Sequence, residues 1–154
     1  MTHIENIPHI LINGVTHKNS KYRNSTYKDI GDKQIIEARK NKEVNITNGV
    51  NTISYMWINV GDYIPFYFGV RMPMLYVSHL GGNFVENATK NENIVYLVCN
   101  VKKINDSGLF TIYFSNGSAV NNLTKFYDKS KLLDLPNILD EEAIKSRKWD
   151  GLEI

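Results

Sequence analysis

Fifteen residues, Asp62-Tyr63-Ile64-Pro65-Phe66-Tyr67-Phe68-Gly69-Val70-Arg71-Met72-Pro73-Met74-Leu75-Tyr76, constrain this chain more than any others. They hold five aromatics, two prolines, two methionines and one arginine. A half-buried strand alternates apolar with polar residues, and a fully buried one runs in Val and Ile. This run does neither. Prolines cannot donate to a sheet ladder, so part of the run must be an edge, a bulge or an exposed loop. Flat rings beside a fixed cation suit a surface that stacks and clamps a nucleobase or nucleotide. The competing reading is a buried aromatic strand followed by a turn.

Around this run the pattern is that of a mixed domain. Ile4, Ile7 and Leu11 keep helical spacing, Pro8 fits a first turn and Gly14 a stop, so a helix is expected over Asn6–Asn13. Residues 15–29 are polar and aperiodic and read as a long loop, the kind that often carries function. Asp32 can cap a second helix to about Asn41, with Ile35 and Ile36 facing in. Asn45–Asn51 reads as turn. Strands are expected at Ile53–Trp57, Tyr63–Phe68, Leu75–His79, Ile94–Lys102 and Thr111–Phe114, with turns at Gly81-Gly82 and Asn116-Gly117. Val120–Lys125 reads as a helical turn, and Asp140-Glu141-Glu142 opens a last helix through Trp149. Helices first, strands in the middle and a closing helix give an α+β fold with a mostly antiparallel, mixed sheet flanked by short helices.

The 154 residues, 42% of them hydrophobic and 22% charged, suit one domain spanning 1–154. No stretch is apolar enough to cross a membrane, and no basic-then-apolar leader opens the sequence. Cys99 has no partner cysteine and reads as a core thiol at a strand end in a reducing compartment, hence a cytoplasmic protein. No Cys/His spacing points to a metal. A net charge of +2 does not by itself mark a nucleic-acid binder, but the basic residues cluster. Lys18, Lys21, Arg23 and Lys28 share the long loop, and Lys33, Arg39, Lys40 and Lys42 follow on or near the second helix. Such clusters can hold phosphates; a solvated polar face is the alternative. Arg39, one turn beyond the two isoleucines, offers a planar fork of donors that stays charged at any working pH. Its alternative is a surface pair with Glu37 or Glu43.

The run at 62–76 resembles the signature of the DarT family, the DNA ADP-ribosyltransferase toxins of bacterial toxin–antitoxin systems. Thr2-His3-Ile4-Glu5-Asn6-Ile7 is similar to that family's opening motif. Gly14 with the polar stretch after it, Ile30-Gly31 through Arg39, Ile94-Val95-Tyr96-Leu97-Val98, Phe126-Tyr127 and Ile144–Trp149 resemble later landmarks in the same order. The resemblance implies an ADP-ribosyltransferase-like fold, NAD as co-substrate, single-stranded DNA as acceptor and a macrodomain antitoxin as partner. It implies that Arg39 is catalytic and grips NAD. Thr2 and His3 would lie near the nicotinamide, and Thr16, His17 and Asn19 near the adenosine. Tyr67, Arg71, Met74 and Ser118 would contact the nucleic acid.

The Thr-His-Lys-Asn-Ser and Arg-Met-Pro-Met-Leu-Tyr variants look closer to the guanine-modifying branch. Residues that the family carries before the opening motif, and its glutamate in a stretch ending Ala-Glu-Phe-Leu-Val, do not occur in these 154 residues. Ser118 stands where relatives often carry His. The expectation is therefore a transferase shortened at both ends, with weak or no transfer. The alternatives are a non-catalytic module for single-stranded nucleic acid and a partner-binding domain that uses the aromatic run.

Overall fold

The computed structural model describes residues 1–50, 56–69, 75, 78 and 88–146. It falls into two compact units, one built from Met1–Glu37, Asp62–Tyr67 and Met72–Val98, the other from Ala38–Gly61, Phe68–Arg71 and Cys99–Ile154.

In the first unit β1 (Thr2–His3) pairs antiparallel with β4 (Ile94–Val95), Thr2 opposite Val95 and His3 opposite Ile94. A 3-10 turn over Ile4–Asn6 leads into α1 (Ile7–Asn13), where Pro8 sits in the first turn, a position whose N–H has no helical partner anyway. Gly14, with φ 74°, ends the helix and donates its N–H to the Ile10 carbonyl. After the long loop, Asp32 caps α2 (Lys33–Lys40), its Oδ1 accepting from the N–H groups of Gln34 and Ile35. Ile30 is buried, and its carbonyl accepts from the Ser78 hydroxyl.

The second unit is organised by a four-stranded sheet in the order β3-β2-β6-β5. β2 (Glu43–Ile46) pairs antiparallel with β3 (Met56–Asn59) and parallel with β6 (Phe126–Asp128), which pairs antiparallel with β5 (Tyr113–Ser115). The alternation of Glu43-Val44-Asn45-Ile46 places Val44 and Ile46 on one face, where they pack with Val60 and Phe126 as the core. On the other face of β6, Tyr127 stacks on Phe114 with ring centroids 5.3 Å apart. Asn100 caps α3 (Val101–Asp106) by accepting from the Lys103 N–H. A 3-10 stretch over Lys129–Asp134 runs into α4 (Leu135–Ile138), and Asp140 caps α5 (Glu141–Lys145).

The α+β class and the mixed, mostly antiparallel sheet are as the sequence indicated. Several boundaries differ. Tyr63–Phe68 is not a strand: it follows a 3-10 turn at Val60–Asp62, Pro65 lacks a donor, and among the described residues no strand pairs with it. Of Leu75–His79, the two described residues, Leu75 and Ser78, are helical. The strand expected over Ile94–Lys102 stops at Val95, because Asn100 turns the chain into a helix. Asn45 and Ile46 are strand rather than turn, and Val120–Lys125 is turn without helix. Ile36 is exposed and Ile35 only half-buried. The last helix ends at Lys145, where Ser146 is already extended (ψ 141°). Cys99 is free and exposed, not a core thiol, because it lies in the irregular link between β4 and α3. The expectations at Ile53–Tyr55, Gly81-Gly82 and Arg147–Trp149 lie outside the described residues.

Candidate nucleotide and nucleic-acid site

In the first unit Thr2 is held by a residue that the chemistry of the sequence did not single out. Asn6 is fully buried. Its Nδ2 donates to Thr2 Oγ1 at 2.9 Å and to the Lys28 carbonyl at 2.8 Å, and its Oδ1 accepts from the Lys28 N–H at 2.9 Å. One amide thus closes the far end of the loop onto β1 with every polar atom satisfied, which a buried amide needs. Lys28 adds an ion pair to Glu5 at 2.6 Å and holds that carboxyl below its ordinary range. Thr2 and His3 are therefore ordered rather than frayed. His3 Nδ1 accepts from the Glu5 N–H at 3.2 Å, capping the first turn.

The near end of the loop is tied by His9 Nε2 to Thr16 Oγ1 at 3.3 Å. His17 Nδ1 accepts from the Asn19 N–H, and the His17 carbonyl from the Ser20 N–H. Thr16 and His17 are half-buried, while Asn19 is exposed. Asn6 was within reach of the sequence, standing inside the opening motif; His9 carried no signal beyond being a histidine on α1. Tyr67, also in this unit, is 53% exposed, next to Phe66 at 54%. Arg71 and Met74 lie outside the described residues.

Arg39 and Ser118 belong to the second unit. Arg39 sits in the last turn of α2, half-buried, and among the described residues no ion pair joins it to Glu37 or Glu43. Its backbone is closely set. The Arg39 carbonyl accepts from the Lys42 N–H, and the Lys42 carbonyl from the Val60 N–H at 2.8 Å. Gly61 then passes so close that a Cβ there would stand 2.1 Å from the Lys40 carbonyl oxygen. Lys42 itself is spent on structure, its Nζ donating to the Val120 carbonyl at 2.7 Å and to Asn122 at 3.2 Å. Ser118 is exposed, and its carbonyl accepts from the Thr124 hydroxyl and the Asn121 N–H.

A half-buried guanidinium with no carboxylate partner among the described residues is chemically suited to a pyrophosphate, and exposed rings to bases. Among the described residues no group of three or more His, Cys, Asp or Glu could hold a metal, and no helix is long and apolar enough to cross a membrane.

The mixed sheet with its short helices is the architecture of the ADP-ribosyltransferase-like proteins. A solved structure described as "Thermus sp. 2.9 DarT in complex with ADP-ribosylated ssDNA" is similar to this chain with a TM-score of 0.75 and 27% identity, over 97% of this chain and 64% of that one. The family model described as "ssDNA thymidine ADP-ribosyltransferase, DarT" matches residues 1–153, and the chain belongs to that family. Two curated proteins described as "DNA ADP-ribosyl transferase" are also similar. That of Escherichia coli O127:H6 (strain E2348/69 / EPEC) is 31% identical over 134 residues, 87% of this chain and 57% of the relative. That of Thermus sp. (strain 2.9) is 28% identical over 153 residues, 97% of this chain and 64% of the relative. The chain thus spans about three-fifths of the length of these relatives.

Proposed function

We propose that residues 1–154 are a domain of a toxin-type transferase that moves ADP-ribose from NAD to a base in single-stranded DNA. The match of the family model over residues 1–153 carries this reading, supported by the likeness to a structure holding ADP-ribosylated single-stranded DNA. In the transfer the bond from ribose to nicotinamide breaks, nicotinamide leaves with the electron pair, a base nitrogen bonds to the same carbon, and the base loses a proton. Positive charge grows on the sugar, so the pyrophosphate must be held still while the bond opens. Arg39 is the group we assign to that grip. Thr2 and His3 face the nicotinamide end in this reading, and Thr16, His17 and Asn19 the adenosine end. Tyr67, Arg71, Met74 and Ser118 receive the strand, whose base is cheapest to present from an unpaired stretch. A macrodomain antitoxin that removes the modification is the partner the family implies, and the cytoplasm, where DNA and NAD meet, the compartment.

The test pairs binding with chemistry on the 154-residue chain. Arg39→Ala is expected to weaken NAD binding at least tenfold by calorimetry. It is also expected to abolish whatever ADP-ribose gain intact mass spectrometry detects on mixed-sequence single strands. Unchanged NAD affinity in the variant would remove Arg39 from the site. Strands with thymine or guanine as the single modifiable base decide between the base in the family's description and the base that the sequence variants favour.

A further inference from the structure

The loop between α1 and α2 carries basic residues that the proposed function leaves unused. Residues 15–28 hold four of the chain's eighteen basic residues and none of its sixteen acidic ones, so the remainder of the chain is net negative. Lys28 is committed to Glu5, but Lys18, Lys21 and Arg23 are exposed and, among the described residues, have no ion pair. Two rings stand among them, Tyr22 at 58% and Tyr27 at 53% exposed, and Lys21 Nζ lies 4.8 Å from the centroid of the Tyr22 ring.

This is not a loose tether. The Ser20 N–H donates to the His17 carbonyl and the Arg23 N–H to the Ser20 carbonyl, two turns in succession. The Tyr22 N–H donates to Ser20 Oγ, and Thr26 is tied to Asn24 through its N–H and hydroxyl. Both ends are fastened, by His9 to Thr16 and by Asn6 to Lys28. Long cationic side chains held apart on a fixed backbone lose less entropy on binding than the same residues on a flexible tail. Thr16 and His17 are half-buried, whereas Lys18, Lys21, Tyr22 and Arg23 are exposed. A phosphate every nucleotide with unstacked bases between is the polymer that alternating cations and rings complement.

We propose that Lys18, Lys21 and Arg23, with Tyr22, form an electrostatic track for the sugar–phosphate backbone of single-stranded nucleic acid. The track uses none of Thr16, His17 and Asn19, nor the aromatic run around Tyr67. It deepens the proposed function by naming where the strand's backbone is held, and it requires neither NAD nor transfer.

The test is fluorescence anisotropy of a labelled mixed-sequence DNA single strand across a sodium chloride series, with no NAD present. The triple variant K18A/K21A/R23A is expected to bind at least tenfold more weakly than the unaltered chain. Its log–log salt slope should fall by about two, since each lost contact removes roughly 0.7. Lys125→Ala with Lys129→Ala, two exposed lysines elsewhere, should change neither. Replacing the two lysines with arginine (K18R/K21R) should retain binding. Equal losses in the triple variant and the control pair, an unchanged salt slope, or no strand binding by the unaltered chain would each overturn the track. So would a triple variant that loses NAD binding while keeping the strand, because the cations would then serve the dinucleotide. Failure of the transferase reading shows elsewhere, as an Arg39→Ala change without effect on NAD.

Discussion

Asn6 and Phe66 lie in the same unit and invert the usual placement of their residue types. The amide is fully buried, and the ring is more than half exposed. Around Asn6 every polar partner is satisfied, from Thr2 through the Lys28 backbone. Around Phe66, by contrast, the stretch from Ile64 to Phe68 keeps all its large side chains exposed and, among the described residues, joins no sheet. A buried, saturated amide is a structural device, because its hydrogen bonds are strong only while water is excluded. Adjacent exposed rings add nothing to the core and leave an apolar surface for something else to cover. The difference separates what holds the loop in place from what the molecule offers to a ligand. It also says that substitutions on the two sides should be read by different instruments.

Asn6→Ala strikes the structural side hardest. It strands a buried hydroxyl and both backbone groups of Lys28, and an unmet buried polar group costs about 1–3 kcal/mol. A loss of about 3 kcal/mol in urea unfolding is expected, together with weaker NAD binding as the loop comes away from β1. A loss below about 1 kcal/mol would mean that the clamp is dispensable and the contrast with Phe66 empty.

Gly61→Ala comes next. The new Cβ cannot share space with the Lys40 carbonyl, so backbone must move; overpacking of this kind costs about 1–3 kcal/mol. Because the displaced backbone adjoins Arg39, NAD affinity should fall as much as it does in Arg39→Ala. If stability drops while NAD affinity holds, the Gly61 contact is structural only.

A smaller clasp in the second unit adds a pH dependence. Asn48 Nδ2 donates to Asp128 Oδ2 at 3.0 Å, and Asn48 Oδ1 accepts from the Asp128 N–H at 2.9 Å. Hydrogen bonds from Ser130 and Asn48 hold the Asp128 carboxyl below its ordinary value of 3.8. A carboxylate whose folded value is depressed stabilises the fold above its unfolded value, and that contribution is lost as pH falls through the folded one. Asn48→Ala should therefore cost about 1 kcal/mol at pH 7. The gap from the unaltered chain should narrow below about pH 4, as the ordinary carboxylate range is left behind. An equal gap at pH 7 and pH 3 would remove the carboxylate from the clasp.

How much of this was legible in the sequence follows the same division. Local chemistry read correctly: Asp32 and Asp140 cap helices, Gly14 stops one, and the turn at Asn116-Gly117 forms. Pairing partners did not. β1 and β6 are two and three residues long, too short for any period to register, and exist because β4 and β2 lie beside them. Val98 and Cys99 look like strand by composition, yet with no ladder partner among the described residues they stay irregular and exposed. Arg39 is assigned through motif resemblance alone, and that resemblance does not reach Gly61, whose need for glycine arises from an approach across twenty-one positions. The ring run was legible as non-strand from its prolines, and the expectation of a strand over Tyr63–Phe68 set that signal aside.

The ring side yields the smallest effect on stability. Tyr67 is 53% exposed, so Tyr67→Ala should shift unfolding by no more than about 0.5 kcal/mol. Single-strand affinity should fall by about tenfold, since a base stacked on an aromatic is worth about 1–3 kcal/mol. Tyr67→Phe keeps the face and should bind nearly as well as the unaltered chain, which separates stacking from a hydrogen bond through the hydroxyl. If Tyr67→Ala unfolds the chain more than it weakens the strand, the ring is structural, and the contrast between the buried amide and the exposed run loses its functional half.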